Sequence, residues 1–376
     1  MPNIRFPRSG SMQFWPRKRS RKQTATVKSW ASLTEAKPLG FAGYKVGMTH
    51  CIYPQNNQNS VTKGMDISCP VTIIECPPLK TASIRLYKNI NNTKKAYTEV
   101  IAPKLDKELK RKIPAAKDIK KKIDDIKPED FDDLILIVYT QPKLTGIGKK
   151  KPEIFEIAVG GKKEEKLAYA KEKLGKEIKV DEVFQAGQQA DIHAVTKGKG
   201  YQGPVKRFGI GLRRHKSEKT KRGPGSLGGW SGQGHVMYRV PHAGQMGYHK
   251  RTEYNKWLLK IGDNPEDINT ASGYTRYGNL KNTYVLVRGS VAGPAKRLIR
   301  FNHAIRPSKK IISAAPAISY ICIKKAKEAV KKQIKEKPKP AEKRVAGAKE
   351  NKKEKEAPEN PKEQEKEKAE SQPKSR

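Results

Sequence analysis

The stretch at 197–251 combines the side chains that bind nucleic acids. It contains 13 lysines and arginines, 13 glycines and four of the chain's seven histidines, against one acidic residue, Glu218. Lysine and arginine neutralise phosphates, glycine lets the backbone approach them closely, and aromatic rings stack on unpaired bases. Five aromatic residues are interleaved with the cations: Tyr201, Phe208, Trp230, Tyr238 and Tyr248.

We call residues 197–255 the basic loop, because no long helix or strand is predicted before a short helix at 253–261. A loop of this length in a compact domain is uncommon and is usually functional or disordered. Disorder is the alternative interpretation, but the aromatic residues, Met237 and Met246 are unusual in a disordered linker. We therefore predict an arm that becomes ordered inside an RNA.

A dinucleotide site fits the basic loop poorly. GKGYQG at 198–203 matches the glycine pattern of such sites and follows a predicted strand. The site also needs a helix that opens at these glycines and an acidic residue about 20 residues further on. Pro204, Gly209 and Gly211 disfavour that helix, and the one acid in range, Glu218, lies in a basic run. We predict no nucleotide cofactor here.

The histidines of the basic loop do not predict a metal site. His235, His242 and His249 recur every seven residues, but Pro241 and Gly244 exclude the helix that would align them. Neither their spacing nor their neighbours suit a zinc ligand set. We expect these histidines to bond to RNA or to the loop's own backbone.

Catalytic chemistry is not predicted elsewhere in the chain. Asp66, Glu75, Asp191 and Glu253 form no recognisable pair, and we expect them to be surface charges or salt-bridge partners. There is no nucleophile motif and no cofactor motif, so an RNA-modifying enzyme is disfavoured. We predict a protein that is not an enzyme and that holds no metal or cofactor.

The charge of the whole chain requires a polyanionic partner. The 376 residues include 80 Lys and Arg against 38 Asp and Glu, a net charge of +42. Nucleic acid is the first candidate partner and an anionic membrane the second. No run of about 18 apolar residues is present, so we predict no membrane partner.

The N-terminus lacks the apolar stretch of a secretory signal, and the four scattered cysteines fit a reducing compartment. We therefore predict a cytoplasmic protein.

The charge is unevenly distributed and divides the chain into five predicted segments. Residues 1–37 form an irregular arm with nine basic residues and one acid, and 324–376 form a disordered tail with 19 basic residues, 11 glutamates and no aromatic. Residues 96–184 carry 21 basic and 18 acidic residues and are predicted to be an α/β unit. That unit is inserted into a β-barrel made from 38–95 and 185–323.

The predicted elements follow from hydrophobic periodicity and turn residues. Barrel strands are expected at 71–76, 83–90, 191–197, 283–291, 296–301 and 318–324. Within the insertion we expect a charged helical stretch at 105–126, strands at 134–140 and 153–161, and a helix at about 162–175. That helix should end at Gly175, in the left-handed conformation that favours glycine after a helix.

Several separate motifs resemble one known family. They are GFAGYKVGMT at 40–49, AVTKGKGYQG at 194–203, RGPGSLGGW at 222–230, AGQMGYH at 243–249, RTEYN at 251–255 and VRGSVAGP at 287–294. Their order and spacing resemble universal large-subunit ribosomal protein three. The arm and the insertion are similar to its archaeal and eukaryotic branch. One difference is Ser231-Gly232, where that branch usually has His-Pro.

The resemblance implies a mainly β fold with an α+β insertion, in which a six-stranded barrel of the translation-protein type carries the basic loop. It implies binding to large-subunit rRNA near its 3′ domain, early in assembly, beside neighbouring large-subunit proteins. The basic loop would reach toward the peptidyl-transferase centre, with Trp230 near its tip and the arm beside it. An architectural nucleic-acid binder outside the ribosome is the alternative. It explains the charge but not the glycines and aromatics.

The predicted rRNA-binding residues are cations, histidines and stacking or polar side chains of the arm, the first strand and the basic loop. They are Arg5, Arg8, Arg17, Lys18, Arg19, Arg21, Lys22, Lys45, Lys197, Lys199, Lys206, Arg207, Arg213, Arg214, His215, Lys216, Lys219, Lys221, Arg222, Trp230, His235, Arg239, Gln245, His249, Lys250 and Arg251.

Overall fold

Two antiparallel sheets organise the part of the chain that the structure describes. The computed structural model describes residues 7–57, 59–114, 123–216, 220–228, 234 and 236–323. The strands there are β1 (Gly40–Pro54), β2 (Asp66–Glu75), β3 (Leu79–Ile90), β4 (Thr93–Ile101), β5 (Asp133–Tyr139), β6 (Ile154–Ala158), β7 (Glu177–Ile178), β8 (Gln189–Val195), β9 (Tyr201–Gln202), β10 (Gly244–Gln245), β11 (Lys250–Gly262), β12 (Tyr284–Arg288), β13 (Leu298–His303) and β14 (Tyr320–Ile321). The helices are α1 (Lys163–Lys173) and α2 (Pro204–Phe208), with 3₁₀ turns at Lys107–Arg111, Pro128–Asp130, Pro142–Leu144 and Pro265–Asp267. The mainly β class is confirmed.

Six strands of the larger sheet pair in a closed ring. Their order is β13, β8, β11, β12, β2 and β1, and β1 pairs again with β13, while β14 pairs with the far end of β1. The strands of the ring bury large apolar side chains, many of them β-branched or aromatic, which pack well on a pleated surface. Tyr44, Ile73, Ile192, Leu286 and Phe301 are almost completely buried there. The ring is therefore a packed body that fixes both ends of the basic loop.

The smaller sheet is formed by residues between β2 and β8. Its order is β4, β3, β5 and β6, with β7 also paired to β3. Helix α1 buries Leu167 and Ala170 in a hydrophobic core that this sheet shares with the ring. The hydroxyl of Tyr44 on β1 donates to Thr140 Oγ1 over 3.0 Å just beyond β5. The two sheets are thus joined by both apolar packing and a buried hydrogen bond.

Several predicted elements are confirmed in type and place. The strands at 134–140 and 153–161 correspond to β5 and β6, and the helix at 162–175 corresponds to α1. Gly175 follows α1 with a φ of +74°. Of the helical stretch expected at 105–126, the structure has a 3₁₀ turn at Lys107–Arg111, and 115–122 lie outside the described residues. The tail at 324–376 lies outside them too.

The strand predicted at 83–90 forms, but its assignment to the barrel is wrong. It belongs to β3, which pairs with β4, β5 and β7 in the smaller sheet. Pro77 and Pro78 separate β2 from β3 and have no backbone N–H for a ladder, so the chain leaves the ring there. Strand β4 was not predicted because most of its side chains are polar and exposed, as is common at a sheet edge.

The short helix predicted at 253–261 is wrong, because this segment lies within strand β11. It pairs with β8 on one side and β12 on the other. Tyr254 and Asn255 together oppose Asp191, which makes a β-bulge. The bulge interrupts the two-residue alternation that identifies strands in a sequence. Trp257, Leu258 and Leu259 are consecutive and all buried, so they do not show the alternation of apolar and polar residues that would predict a strand.

Two of the four acids expected at the surface are buried instead. Glu75 on β2 and Asp191 on β8 are at most 1% exposed, and both accept several hydrogen bonds. Asp66 is exposed, and Glu253 forms an ion pair with Lys256 at 3.1 Å, as expected. Buried carboxylates are stable only where donors satisfy them. Glu75 and Asp191 therefore have structural roles that their sequence context did not indicate.

Buried histidines on β8 and β13 make the stability depend on pH. Burial, reinforced by Arg300, lowers the pKa of His193 to about 4, and Asp191 partly opposes this shift. Burial, reinforced by Lys37, lowers the pKa of His303 to about 4. Both side chains are therefore neutral in the folded protein at pH 7.

We expect the free energy of unfolding to fall as the pH drops from about 6.5 to 4. Unfolded histidine titrates near pH ~6.5, so in this window the unfolded chain binds more protons than the folded one. The loss should be about 1–2 kcal/mol per histidine between about pH 7 and 5. Urea unfolding of the double variant His193→Asn, His303→Asn should show a flatter pH dependence. The exposed His50→Asn control should keep the original dependence, and an equal change in both proteins would contradict this explanation.

Candidate nucleic-acid interface

The base of the basic loop is a short antiparallel stem. Strand β9 pairs with β10, and Lys199 N donates to Met246 O over 3.0 Å, while Met246 N donates to Gly200 O over 2.9 Å. A Cβ at Gly247 would lie 2.1 Å from Lys197 O, so only glycine allows this approach of the two chains. The stem fixes where the long cationic segment leaves the ring.

A short helix follows the GKGYQG motif, contrary to the expectation that Pro204, Gly209 and Gly211 would prevent one. Helix α2 begins at Pro204, the first helical position, where a missing N–H costs nothing. It ends after five residues because Gly209 adopts φ +73°. A single turn does not provide the long helix of a dinucleotide fold. Its role here is to position Arg207 and Phe208.

Arg207 connects the two sides of the basic loop and the arm. Its Nε donates to Gln245 O over 3.0 Å and one terminal nitrogen donates to His242 O over 2.9 Å. The other terminal nitrogen donates to Arg17 O over 3.4 Å. The planar guanidinium has five donors and can serve several carbonyls at once. Arg207 therefore acts as an internal clamp.

The arm docks on the basic loop through aromatic and cationic contacts. Phe208 is buried, and its ring stacks on Trp15 with centroids 5.9 Å apart. The Arg17 guanidinium lies 4.4 Å from the Phe208 centroid, and Tyr238 meets Trp15 edge-on at 5.8 Å. Such contacts add to the burial of apolar area. Phe208, which we expected to stack on bases, instead fills a core between arm and loop.

A second docking point lies where the loop returns to the ring. Ser20 N donates to Tyr248 O over 2.8 Å, and His249 Nδ1 lies 3.0 Å from Lys18 O. Burial lowers the pKa of His249, the bond to Lys18 O partly opposes this shift, and Arg251, Arg207 and Arg17 reinforce it. His249 Nδ1 carries the proton in the bond to Lys18 O, because a carbonyl only accepts. The arm lies beside the basic loop, as the resemblance implies.

Several arginines lie close together where the arm contacts the basic loop. Burial lowers the pKa of Arg17, and the nearby Arg207, Arg251 and Arg8 lower it further. No carboxylate contributes to that shift. Because no carboxylate among the described residues offsets the charge at Arg17, an approaching anion is favoured there, and phosphate is the anion that arginine binds best in a fork.

Most predicted binding residues are exposed on the arm or on the basic loop. We define the arm–loop surface as the exposed cations of residues 8–28 and 197–251. The predicted side chains that are exposed are Arg8, Lys18, Arg19, Arg21, Lys22, Lys197, Lys199, Lys206, Arg213, Arg214, His215, Lys216, Lys221, Arg222, Arg239 and Lys250.

Other predicted residues have internal roles or lie outside the described residues. Arg17, Arg207, Gln245, His249 and Arg251 are half-buried or buried and hold the arm and loop together. Those outside the described residues are Arg5, Lys219, Trp230 and His235.

Lys45 lies on β1 of the ring rather than on the arm or the basic loop. Its side chain is buried in the ring, and its ammonium donates to Val291 O and to Gly293 O. Burial lowers the pKa of Lys45. The sequence shows a lysine in a β1 motif but not the direction of its side chain, which the pleat decides. We therefore leave Lys45 out of the interface.

Sequence reasoning also missed cations and one aromatic next to the arm. Lys28, Arg306 and Tyr254 are exposed around a cleft between the arm and the ring. Lys28 lies in the basic arm but was not among the predicted binding residues, Arg306 lies outside the basic stretches, and Tyr254 fell in the wrongly predicted helix. Within the described ranges, no cluster of three or more His, Cys, Asp or Glu could hold a metal, and no helix is long and apolar enough to span a membrane.

A β-rich body with a shared cationic arm and loop is the arrangement expected of a protein that binds a polyanion. The chain belongs to the Ribosomal protein L3 family, whose family model matches residues 1–339. This confirms the resemblance found in the motifs.

Archaeal relatives cover most of this chain. Large ribosomal subunit protein uL3 of Methanosphaera stadtmanae is 48% identical over 325 residues, which are 84% of this chain and 96% of the relative. The protein of the same name from Methanocaldococcus jannaschii is 45% identical over 326 residues, covering 85% and 97%. That of Archaeoglobus fulgidus is 45% identical over 308 residues, covering 81% and 93%.

Proposed function

We propose that this protein is a structural, non-enzymatic constituent of the large ribosomal subunit that binds rRNA through the arm–loop surface. The observation that carries the proposal is the docking of the cationic arm on the cationic loop at Arg17, where no described carboxylate contributes to the lowered pKa of the guanidinium. Arg17, Arg207 and Phe208 hold the two segments together in the free protein. The cationic arm and the cationic loop lie side by side, so together they can bind successive phosphates of an RNA backbone.

The family's architecture gives the finer part of the proposal. We infer that the ring of six strands is a barrel of the translation-protein type, supported by the pairing of β1 with β13. The five segments predicted from the charge distribution remain our proposed domain organisation, with the insertion starting at β3 rather than at residue 96. The insertion's ion pairs, such as Arg85 with Glu99 and Glu156, fit a solvated surface rather than an RNA contact.

The rRNA region is also part of the proposal. We infer contact with the 3′ domain and the peptidyl-transferase region, early in assembly, beside neighbouring large-subunit proteins. The stem of β9 and β10 closes the outer part of the basic loop, and the exposed cations Lys206, Arg213, Arg214, Lys216, Lys221, Arg222 and Arg239 lie between these two strands in the chain. This placement fits a body at the particle surface with a penetrating loop.

Removing the outer part of the basic loop should impair assembly or translation, whereas removing the tail should not. A variant lacking 211–236 keeps α2, the Arg207 clamp, the contact of Tyr238 with Trp15 and β10, so its thermal unfolding should match the parent. A variant lacking 326–376 loses lysines that 11 glutamates already dilute, and it should enter subunits normally. Sucrose-gradient profiles with rRNA sequencing measure both. Greater harm from tail loss, or co-purification with DNA rather than ribosomal particles, would contradict the proposal.

A further inference from the structure

A separate cleft lies between the arm and the ring, away from the outer basic loop. Its volume is about 630 Å³, within the range of about 300–1,000 Å³ typical of small-molecule sites. One wall is the arm at Thr26 and Lys28, another is β11 around Tyr254, and a third is Ile305 and Arg306 after β13.

The rim of the cleft is cationic. Lys28, Lys250 and Arg306 line it with exposed side chains, and none of the described residues that line it is acidic. Lys250 Nζ donates to Thr26 Oγ1 over 2.9 Å, which joins β11 to the arm across the cleft. Three cations converging on one space without a carboxylate are suited to a phosphate group.

An exposed aromatic ring stands beside these cations. Tyr254 is 64% exposed although it lies in the middle of β11. The β-bulge causes this, because Tyr254 and Asn255 together oppose Asp191, and Asn255 has a φ of +54°. A positive φ in a residue other than glycine is uncommon and often marks a functional position.

Asp191 positions two walls of the cleft at once. One carboxylate oxygen accepts from Asn255 N over 2.9 Å and holds the bulge, and the other accepts from Ile305 N over 3.1 Å and holds the turn before Arg306. Because Asp191 is 1% exposed, this carboxylate is preorganised and not available to a ligand. The aromatic and cationic walls are therefore held at a fixed separation.

The floor of the cleft is polar and neutral. His193 Nδ1 and Thr252 Oγ1 lie 2.9 Å apart, and both residues line the cleft. A neutral imidazole and a hydroxyl donate and accept hydrogen bonds, as the edge of a nucleobase requires.

We propose that this cleft receives one unstacked nucleotide of the bound RNA, with its base on Tyr254 and its phosphate near Lys28, Lys250 and Arg306. The inference rests on the proposed rRNA binding and adds a site for a single nucleotide. An aromatic face beside converging cations matches a splayed base and its phosphate, the usual form of sequence-specific RNA recognition.

The test compares two RNA hairpins that differ by one unpaired nucleotide. The full-length protein should bind the bulged hairpin more tightly than the fully paired one at low salt. Tyr254→Ala should weaken binding of the bulged hairpin by roughly 5- to 150-fold, the range expected for one stacked base, and should change binding of the paired hairpin less than about 2-fold. Tyr254→Phe should retain the preference because the ring remains.

Tyr97 on β4 provides a matched control. It is 56% exposed and Lys88 Nζ lies 4.0 Å from its ring, but it does not line the cleft. Tyr97→Ala should leave the affinities for both hairpins unchanged.

A 4-thiouridine at the bulged position should crosslink to residues of the cleft. A crosslink confined to the basic loop, or an equal loss of both hairpins in Tyr254→Ala, would overturn the nucleotide site. Failure of the parent protein to bind either hairpin would instead count against the proposed function.

Discussion

Raising the salt concentration from about 50 to 200 mM should weaken rRNA binding by roughly 10³- to 10⁵-fold. The arm–loop surface exposes enough lysines and arginines for on the order of 10 phosphate contacts, each contributing roughly −0.7 to −0.9 to the slope of log K against log salt. Fluorescence anisotropy with an rRNA fragment across a salt series measures this slope. Binding should remain selective for rRNA, because stacking and shape recognition do not depend on counterion release.

Charge-neutralising variants separate this surface from the overall charge. Replacing Arg213, Arg214 and Lys216 with Gln should reduce the magnitude of the slope by about 2–3. The matched control replaces Lys95, Lys104 and Lys127, which are exposed lysines of the near-neutral segment around the smaller sheet. The control has the same net charge but should keep the parent slope. Equal slopes in the two triple variants, or equal affinity for rRNA and random duplex DNA at about 0.2 M salt, would contradict the proposed interface.

Replacing Glu75 with Ala should lower the free energy of unfolding by about 3–5 kcal/mol. The carboxylate is fully buried on β2 and accepts from the hydroxyl of Tyr277. It also accepts from Lys281 N over 2.9 Å, Asn282 N over 3.0 Å and Asn282 Nδ2 over 2.8 Å. Removing it leaves these donors without the shared acceptor that the fully buried carboxylate provides. The connection between β11 and β12 would lose its anchor on the ring.

Chemical denaturation of two further variants tests the mechanism. Glu75→Gln keeps the shape of the side chain and one oxygen acceptor, but its NH₂ group would face the surrounding donors. The decrease in the free energy of unfolding should therefore be smaller than for Glu75→Ala, about 1–3 kcal/mol. Asp66→Asn, at the exposed end of the same strand, should change stability by no more than about 0.5 kcal/mol. A loss below about 1 kcal/mol for Glu75→Ala would mean that the surrounding donors find other partners.

The sequence determined the features that depend on residues close together in the chain. Alternating or continuous β-branched residues located β2, β5, β6, β8, β12 and β13, and a glycine placed the end of α1. The concentration of charged residues in the arm, the loop and the tail can be read from the composition of each segment. The family motifs are short runs of consecutive residues, so they too can be recognised without a structure. For these reasons the mainly β class, the ribosomal family and the cationic surface could be predicted without coordinates.

Tertiary structure decided everything that depends on which distant segments meet. Whether Lys45 or Phe208 faces solvent depends on the strand or arm packed over it, and neither packing partner is near in sequence. The same holds for Glu75 and Asp191, whose donors lie more than 60 residues away. The bulge at Tyr254 and Asn255 interrupts the alternation of β11, so the sequence predicted a helix there, and it leaves Tyr254 exposed beside the cleft. Local patterns specify elements, but burial and pairing between distant segments specify what each polar side chain can bind.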